Sequence, residues 1–206
     1  MKKEKNAEEK LVYERELLAG GARYIAGVDE VGRGPLAGPV VCAAVIMPLD
    51  AALLIHGVDD SKKLSAAKRE ALSELIKECA LAYAVAEVSQ ERIDEVNILQ
   101  ATRQGMREAL LALKIAPDAV LTDGNMTLDI PFFQRSVVHG DALSYSIGAA
   151  SIIAKVYRDA LMDELAVTYP AYGFEKNKGY GTAEHIAAIR EVGICPVHRR
   201  TFTKKF

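Results

Sequence analysis

Four acidic residues stand out by where they fall. Asp29 and Glu30 precede Gly32, Asp123 precedes Gly124, and Asp141 follows Gly140, each near the close of a short apolar run. In open α/β sheets, sites form beyond the carboxyl ends of strands, where loops hold side chains on a rigid frame. If these strand ends are neighbours, the carboxylates converge, and such a cluster repels itself unless cations neutralise it. An all-oxygen, His-poor set suits hard ions such as Mg2+ or Mn2+. A pair of such ions about 4 Å apart drives in-line displacement at a phosphodiester. The plainer alternative stays open, because Asp before Gly is ordinary turn chemistry and Asp141 could simply cap a helix. Geometry adds an obstacle. Adjacent strand residues point to opposite faces, so Asp29 and Glu30 can share one site only if the chain bends there, which the following glycines would allow.

Two further features could touch a nucleic acid. In Gly32-Arg33-Gly34-Pro35 the glycines let backbone approach a ligand closely, although a plain tight turn reads the same way. It is not a Walker loop, since no G-x-x-x-x-G-K-[ST] is present. Between positions 174 and 206, seven Lys/Arg face three acids, a local charge of +4. Phe174, Tyr180, Phe202 and Phe206 interleave with them, and Lys62 and Lys63 in DDSKKLS make a second basic spot. Such segments track phosphates and stack on sugars or bases, though a solvated basic tail has the same composition. The four histidines show no ligand spacing and read as structural or surface residues, with His198, beside Arg199 and Arg200, able to face phosphate.

The elements that must carry these residues follow from periodicity and breakers. An amphipathic helix is expected over 8–19, with Leu11, Val12, Leu17 and Leu18 apolar and Gly20-Gly21 stopping it. Strands are expected over 24–29, 40–47, 81–88, 119–122 and 136–138. The gap between the first two is too short for a crossover helix, so they should pair antiparallel. A Ser65-capped helix should run to Cys79 with Leu72, Leu75 and Ile76 inward, and one opened by Asn97 and Gln100 should run to Leu113. A long helix over 143–167 carries Gly148, Ala149, Ala150 and Ser151, small residues suited to close packing on the sheet, and Thr182 caps a last helix ending near Gly193. Together these predict an α/β domain with a mixed sheet of about five strands.

Composition bounds the partners. The chain has 206 residues, 50% hydrophobic and 26% charged, enough for one core and unlike a disordered or coiled-coil chain. Cys42, Cys79 and Cys195 are odd in number and far apart, which favours reduced thiols in the cytoplasm over disulfides or a zinc site. The opening MKKEKNAEEK lacks an apolar stretch behind its charges, which speaks against a secretory signal, and no run approaches the ~20 residues of a membrane span. The formal charge of -2 argues against nucleic acid only as a sum. The +4 of the C-terminal segment is offset by -4 between positions 84 and 130, where eight acids face four bases.

AGVDEVGRGPLAGPVV, DDSKKLS, NILQAT, LTDGN, GDALSYSIGAASIIAKVYRD, KGYGT and HRRTF occur in this order. The set resembles bacterial ribonuclease HII, the type 2 ribonuclease H, from about Tyr13 to Phe202. The resemblance implies a ribonuclease-H-like mixed five-stranded sheet flanked by helices, with a small helical C-terminal part. One catalytic domain over 1–206 would end in a substrate-binding appendage over 170–206. It implies an endonuclease that cuts the RNA strand of RNA–DNA hybrids and cuts 5′ of single ribonucleotides in duplex DNA, leaving 3′-hydroxyl and 5′-phosphate. Carried over, the catalytic and metal-binding residues are Asp29, Glu30, Asp123 and Asp141, with Mn2+ or Mg2+ as cofactor. The ribonucleotide-sensing loop is Gly32, Arg33 and Gly34, the junction-sensing residue is Tyr180, and Lys62, Lys63 and the tail would hold phosphates. A monomer is expected. The tail is where a replication-clamp docking site would be sought, but no clamp-binding aromatic pair supports one.

Three rivals are weaker. Another two-metal nuclease or transposase-type enzyme on this fold would share the acids without needing a ribose. A non-catalytic binding module would have no use for acids that repel a phosphate backbone. A nucleotide phosphotransferase lacks a phosphate-binding Lys loop.

Overall fold

A computed structural model describes residues 7–206; the first six positions of the charged N-terminal stretch lie outside it. Five strands, β1 (Ile25–Val31), β2 (Val40–Ile46), β3 (Ala82–Val88), β4 (Ala119–Asp123) and β5 (Phe133–Val137), form one sheet in the order β3-β2-β1-β4-β5. β1, β2 and β3 pair antiparallel, as the short 32–39 connection requires, while β4 and β5 run parallel to β1. The carboxyl ends of β1, β4 and β5 therefore share one edge.

Helices in chain order are α1 (Val12–Ala19), α2 (Ala66–Cys79), α3 (Gln90–Val96), α4 (Ile98–Leu111), α5 (Gly140–Leu143), α6 (Tyr145–Thr168), α7 (Phe174–Asn177), α8 (Ala183–Val192) and α9 (Arg200–Thr203). Caps follow the sequence: Ser65 accepts from the Lys68 N–H, Asn97 from those of Leu99 and Gln100, and Thr182 from that of His185. α3 was not expected, and the long helix starts only after a break at Ser144, with α5 before it. The N-terminal helix is shorter than the 8–19 expectation, because 7–10 forms a 3-10 turn, and its Val12 and Leu18 are exposed. Leu75, expected inward, is also exposed; the buried stripe of α2 is Leu72, Ser73 and Ile76.

One core lies between the sheet and α2 and α6, joining Val41, Ala43 and Val45 to Ala149, Ile152 and Ile153. A second lies under α4, joining Ala26, Val28, Cys42 and Ala44 to Met106 and Leu110. A third, around Phe174, Tyr172, Met162 and Ile189, holds the C-terminal helices together. The small residues of α6 serve the close packing expected of them. β1 reciprocates: a Cβ at Gly27 would stand 2.1 Å from the backbone carbon of Ser146. Buried Glu14 of α1 accepts from Ser144 Oγ at 2.6 Å and Ser146 N at 3.0 Å, pinning the start of α6. Among the described residues, no helix is long and apolar enough to cross a membrane.

Candidate active site

β1 does not bend at its acids. Pairing with β2 continues through Asp29↔Ala43, Glu30↔Cys42 and Val31↔Val41, so the strand runs two residues past its expected end. Asp29 and Glu30 therefore point to opposite faces. Asp29 shares the α6 face with Ala43 and is held by a hydrogen bond from Ser151. Glu30 shares the α4 face with Cys42, whose Sγ contacts the Thr102 carbonyl at 3.7 Å. They meet around the sheet edge, because β4 stops at Asp123, level with Asp29. The site straddles the sheet rather than lying on one face.

Each acid is seated by backbone or a neighbour. Asp29 Oδ1 accepts from the Glu30 N–H at 2.7 Å, and Asp123 Oδ1 accepts from the Gly140 N–H at 2.6 Å. Glu30 Oε1 takes Arg33 Nη1 at 3.3 Å, while its buried Oε2 has no partner. Asp141 stands in the first turn of α5, after His139 turns the chain through a left-handed conformation at φ 59°.

Electrostatics join the four. Burial, then Glu30, then Asp123 push the Asp29 carboxyl well above the usual carboxylate range. Burial raises Glu30 too, with Arg33 pulling the other way and Asp123 adding to the rise. Asp141 is raised by burial, Asp60 and Asp123. These acids crowd one another, yet among the described residues no three close into a ready-made metal cage. The donor chemistry fits hard divalent cations: the oxygens are mutually repelling, and Glu30 Oε2 is buried without a partner.

Lys62 sits with these acids. Burial opposes its charge, but Asp141, Asp29 and Asp60 outweigh it and raise its pKa. Lys63 is exposed and pairs with Asp60 at 3.4 Å. Asp60, missed in the sequence, also accepts from the Lys62 N–H at 3.0 Å and shapes this turn; its signal was its place in DDSKKLS beside the lysines. Buried Lys10 anchors the segment, donating to the Val58 carbonyl at 2.9 Å and Asp59 Oδ1 at 2.6 Å.

The glycine loop lies at the same edge. Gly32 has φ +91°, and a Cβ there would stand 2.2 Å from Arg158 Nε. A Cβ at Gly34 would lie 3.7 Å from the Tyr180 ring, so the loop and the tyrosine are neighbours. Tyr180 is 41% exposed.

Two expectations for the tail are corrected. Arg199 is fully buried, not free for phosphate: Nε donates to Gly38 O at 2.9 Å, Nη1 to Arg33 O at 2.9 Å and Nη2 to Gly32 O at 2.5 Å. His198 takes the structural role read for the histidines rather than facing phosphate, being 2% exposed with Nε2 at 3.0 Å from His185 Nε2. Phe174 is likewise core rather than a stacking surface. The loop's carbonyls and the aromatic pocket of Tyr172 and Phe174 drew these groups inward. Burial, then His185, pushes the His198 imidazole down to about 4.

A mixed sheet in this order, with acids at the carboxyl ends of its parallel strands, is the architecture of the ribonuclease-H-like nucleases. The solved structure of ribonuclease H2 from Pyrococcus horikoshii OT3 superposes with a TM-score of 0.74 at 28% identity, over 89% of this chain and 96% of that one. That of the PCNA:RNase HII complex from Archaeoglobus fulgidus gives 0.74 at 27%, over 88% and 95%. The chain belongs to the ribonuclease HII family: residues 26–205 match the family model for Ribonuclease HII. Ribonuclease HII of Ruminiclostridium cellulolyticum is 52% identical over 196 residues, 95% of this chain and 76% of the relative. The protein is thus an endoribonuclease, with a family and fold that support endonuclease action on RNA–DNA hybrids.

Proposed function

We propose that this enzyme cuts the RNA strand of RNA–DNA hybrids and also cuts 5′ of single ribonucleotides embedded in duplex DNA, leaving 3′-hydroxyl and 5′-phosphate. The observation that carries it is the mutual repulsion of Asp29, Glu30, Asp123 and Asp141 at one sheet edge, next to a glycine loop and an exposed tyrosine. The four carboxylates are read as catalytic and as holding Mg2+ or Mn2+. When bound, such ions supply a hydroxide-like nucleophile at neutral pH and offset charge at the phosphate and leaving oxygen.

The chain's own residues supply selection. Backbone N–H groups of Arg33 and Gly34 bond the 2′-hydroxyl, the sugar atom that separates RNA from DNA. Tyr180 stacks on the next sugar, where a deoxyribose fits better than a ribose, which favours an RNA–DNA junction. Lys62, balanced among the acids, and Lys63, at the rim, steady phosphates. The 170–206 part is read as a substrate-binding appendage of the single catalytic domain, with Lys204 and Lys205 on its outside. Three unpaired cysteines support a reducing, cytoplasmic setting. The Archaeoglobus complex supports including a sliding clamp among the partners.

The test is a duplex with one embedded ribonucleotide, assayed with and without divalent metal beside an all-DNA duplex. Metal-dependent cleavage 5′ of the ribonucleotide alone is expected. Equal cleavage of the all-DNA duplex would return the protein to the wider class of two-metal nucleases.

A further inference from the structure

Two fully buried arginines stand behind the selection loop, and among the described residues no carboxylate bonds their guanidinium nitrogens. Arg199 binds the carbonyls of Gly32, Arg33 and Gly38. Arg158, on α6, binds those of Pro39 at 3.0 Å, Ala37 at 3.1 Å and, across the loop, Lys178 at 2.9 Å. Burying a guanidinium is costly unless its donors are used, so a pair whose hydrogen bonds all go to backbone carbonyls, with Arg199 also lying over the Phe202 ring, marks a demanding arrangement. Burial depresses the ionisation of both, and the two oppose each other at Arg199.

The carbonyls they hold decide which way the loop faces. No peptide bond among the described residues is cis, and in a trans peptide the C=O of one residue and the N–H of the next point oppositely. Drawing Gly32 O and Arg33 O inward to Arg199 therefore turns the Arg33 and Gly34 N–H groups outward. Arg158 adds a second constraint. Its Nη1 holds the carbonyl of Lys178, two residues before Tyr180, while Nε and Nη2 hold Pro39 and Ala37 at the far end of the 32–39 connection and its side chain packs against Gly32. The Leu36 N–H donates to Gly179 O at 2.7 Å, closing the same seam.

We propose that Arg199 and Arg158 are positioning residues for ribonucleotide selection: Arg199 aims the loop's N–H groups at the ribose, and Arg158 locks that loop to the Tyr180 loop so that the two readers act as one unit. The inference rests on the proposed roles of the loop and Tyr180.

The experiment compares wild type, Arg199→Lys, Arg158→Lys and Tyr180→Ala, each confirmed folded by its melting curve. KM and kcat are read on a single-ribonucleotide duplex and on a long RNA–DNA hybrid. A lysine ammonium gathers its donors at one atom and cannot span the separated carbonyls that the planar guanidinium fork reaches. Arg199→Lys should lower kcat/KM on the single-ribonucleotide duplex at least tenfold and weaken discrimination against an all-DNA duplex, with hybrid affinity little changed. Arg158→Lys combined with Tyr180→Ala should lose little more than either alone, since both disable one unit. Gly179→Ala keeps both arginines but puts a Cβ 2.6 Å from Ala37 O, and should show the Tyr180→Ala pattern. Unchanged discrimination against the all-DNA duplex in Arg199→Lys, equal losses on both ribonucleotide substrates in Arg158→Lys, or additive losses in the double variant would mean the arginines only stabilise the fold and would overturn the proposal. If wild type itself shows no preference for the ribonucleotide, the underlying reading of function fails instead, a result separate from any variant.

Discussion

The carboxyl edge of the sheet and the C-terminal helices handle buried polar groups in opposite ways. At the sheet edge, acids crowd together, their carboxyls are raised, and Glu30 Oε2 is left without a partner. In the C-terminal part the groups satisfy each other while neutral. Tyr180 O must accept from His185 Nδ1–H, and the Cys195 N–H must donate to His198 Nδ1. That leaves His198 Nε2–H to donate to His185 Nε2 at 3.0 Å, a chain in which each ring nitrogen has one role. The edge is built to receive charge from outside; the histidine cluster of the C-terminal cap is built to need none. Their pH behaviour diverges accordingly. Raised carboxyls favour the protonated fold, so without cations the edge loses stability as pH climbs out of the carboxylate range. Depressed imidazoles favour the neutral fold, so the cap holds above about 6.5 and weakens as pH falls toward 4.

The largest expected effect tests the edge. Asp29→Asn should cut turnover by at least about 10³-fold while hybrid binding survives; full turnover with added Mg2+ would remove Asp29 from the catalytic set. The same variant should melt higher than wild type in chelator at neutral pH, because one repelling charge is gone, and an unchanged melting temperature would break the contrast. The cap comes next. Acidification from pH 6.5 to 4 should remove up to about 3 kcal/mol of its stability, read by hydrogen exchange in α8; a His198→Phe variant should lose this pH step. Tyr180→Ala should then lower activity on a single embedded ribonucleotide by roughly tenfold more than on a long hybrid, a stacking-sized effect, and equal losses would reject the junction role. Smallest is the Lys204→Ala, Lys205→Ala pair, which should flatten the salt dependence of binding by up to about two phosphate contacts without altering kcat. An unchanged slope would take the cap's outer lysines out of substrate binding.

Much of the edge was legible in the sequence. Asp29, Glu30, Asp123 and Asp141 could be picked out because acid beside glycine at a strand end is a local signal, and strand order then brings such ends together. The bend that would have put Asp29 and Glu30 on one face does not occur, because β2 pairs on past Asp29, a cross-strand fact with no local mark. Arg199 was counted among phosphate-binding tail residues since its partners lie more than 160 positions away. Arg158 gave no local cue, because on α6 it stands among Lys155, Asp159, Asp163 and Glu164 and reads like one more surface charge. Asp60 was visible but read only for the lysines beside it. Short helices such as α3 escaped because seven residues carry too little periodicity.

The separation between Gly32 and Arg199 also orders events during synthesis. The loop is made 167 residues before the arginine that holds it. All five strands and all four acids precede that arginine too, so the sheet can assemble on the ribosome while the loop is still unheld. On the roles proposed for the loop and the acids, selectivity is then the last property the nascent chain acquires, after the residues for cutting are in place.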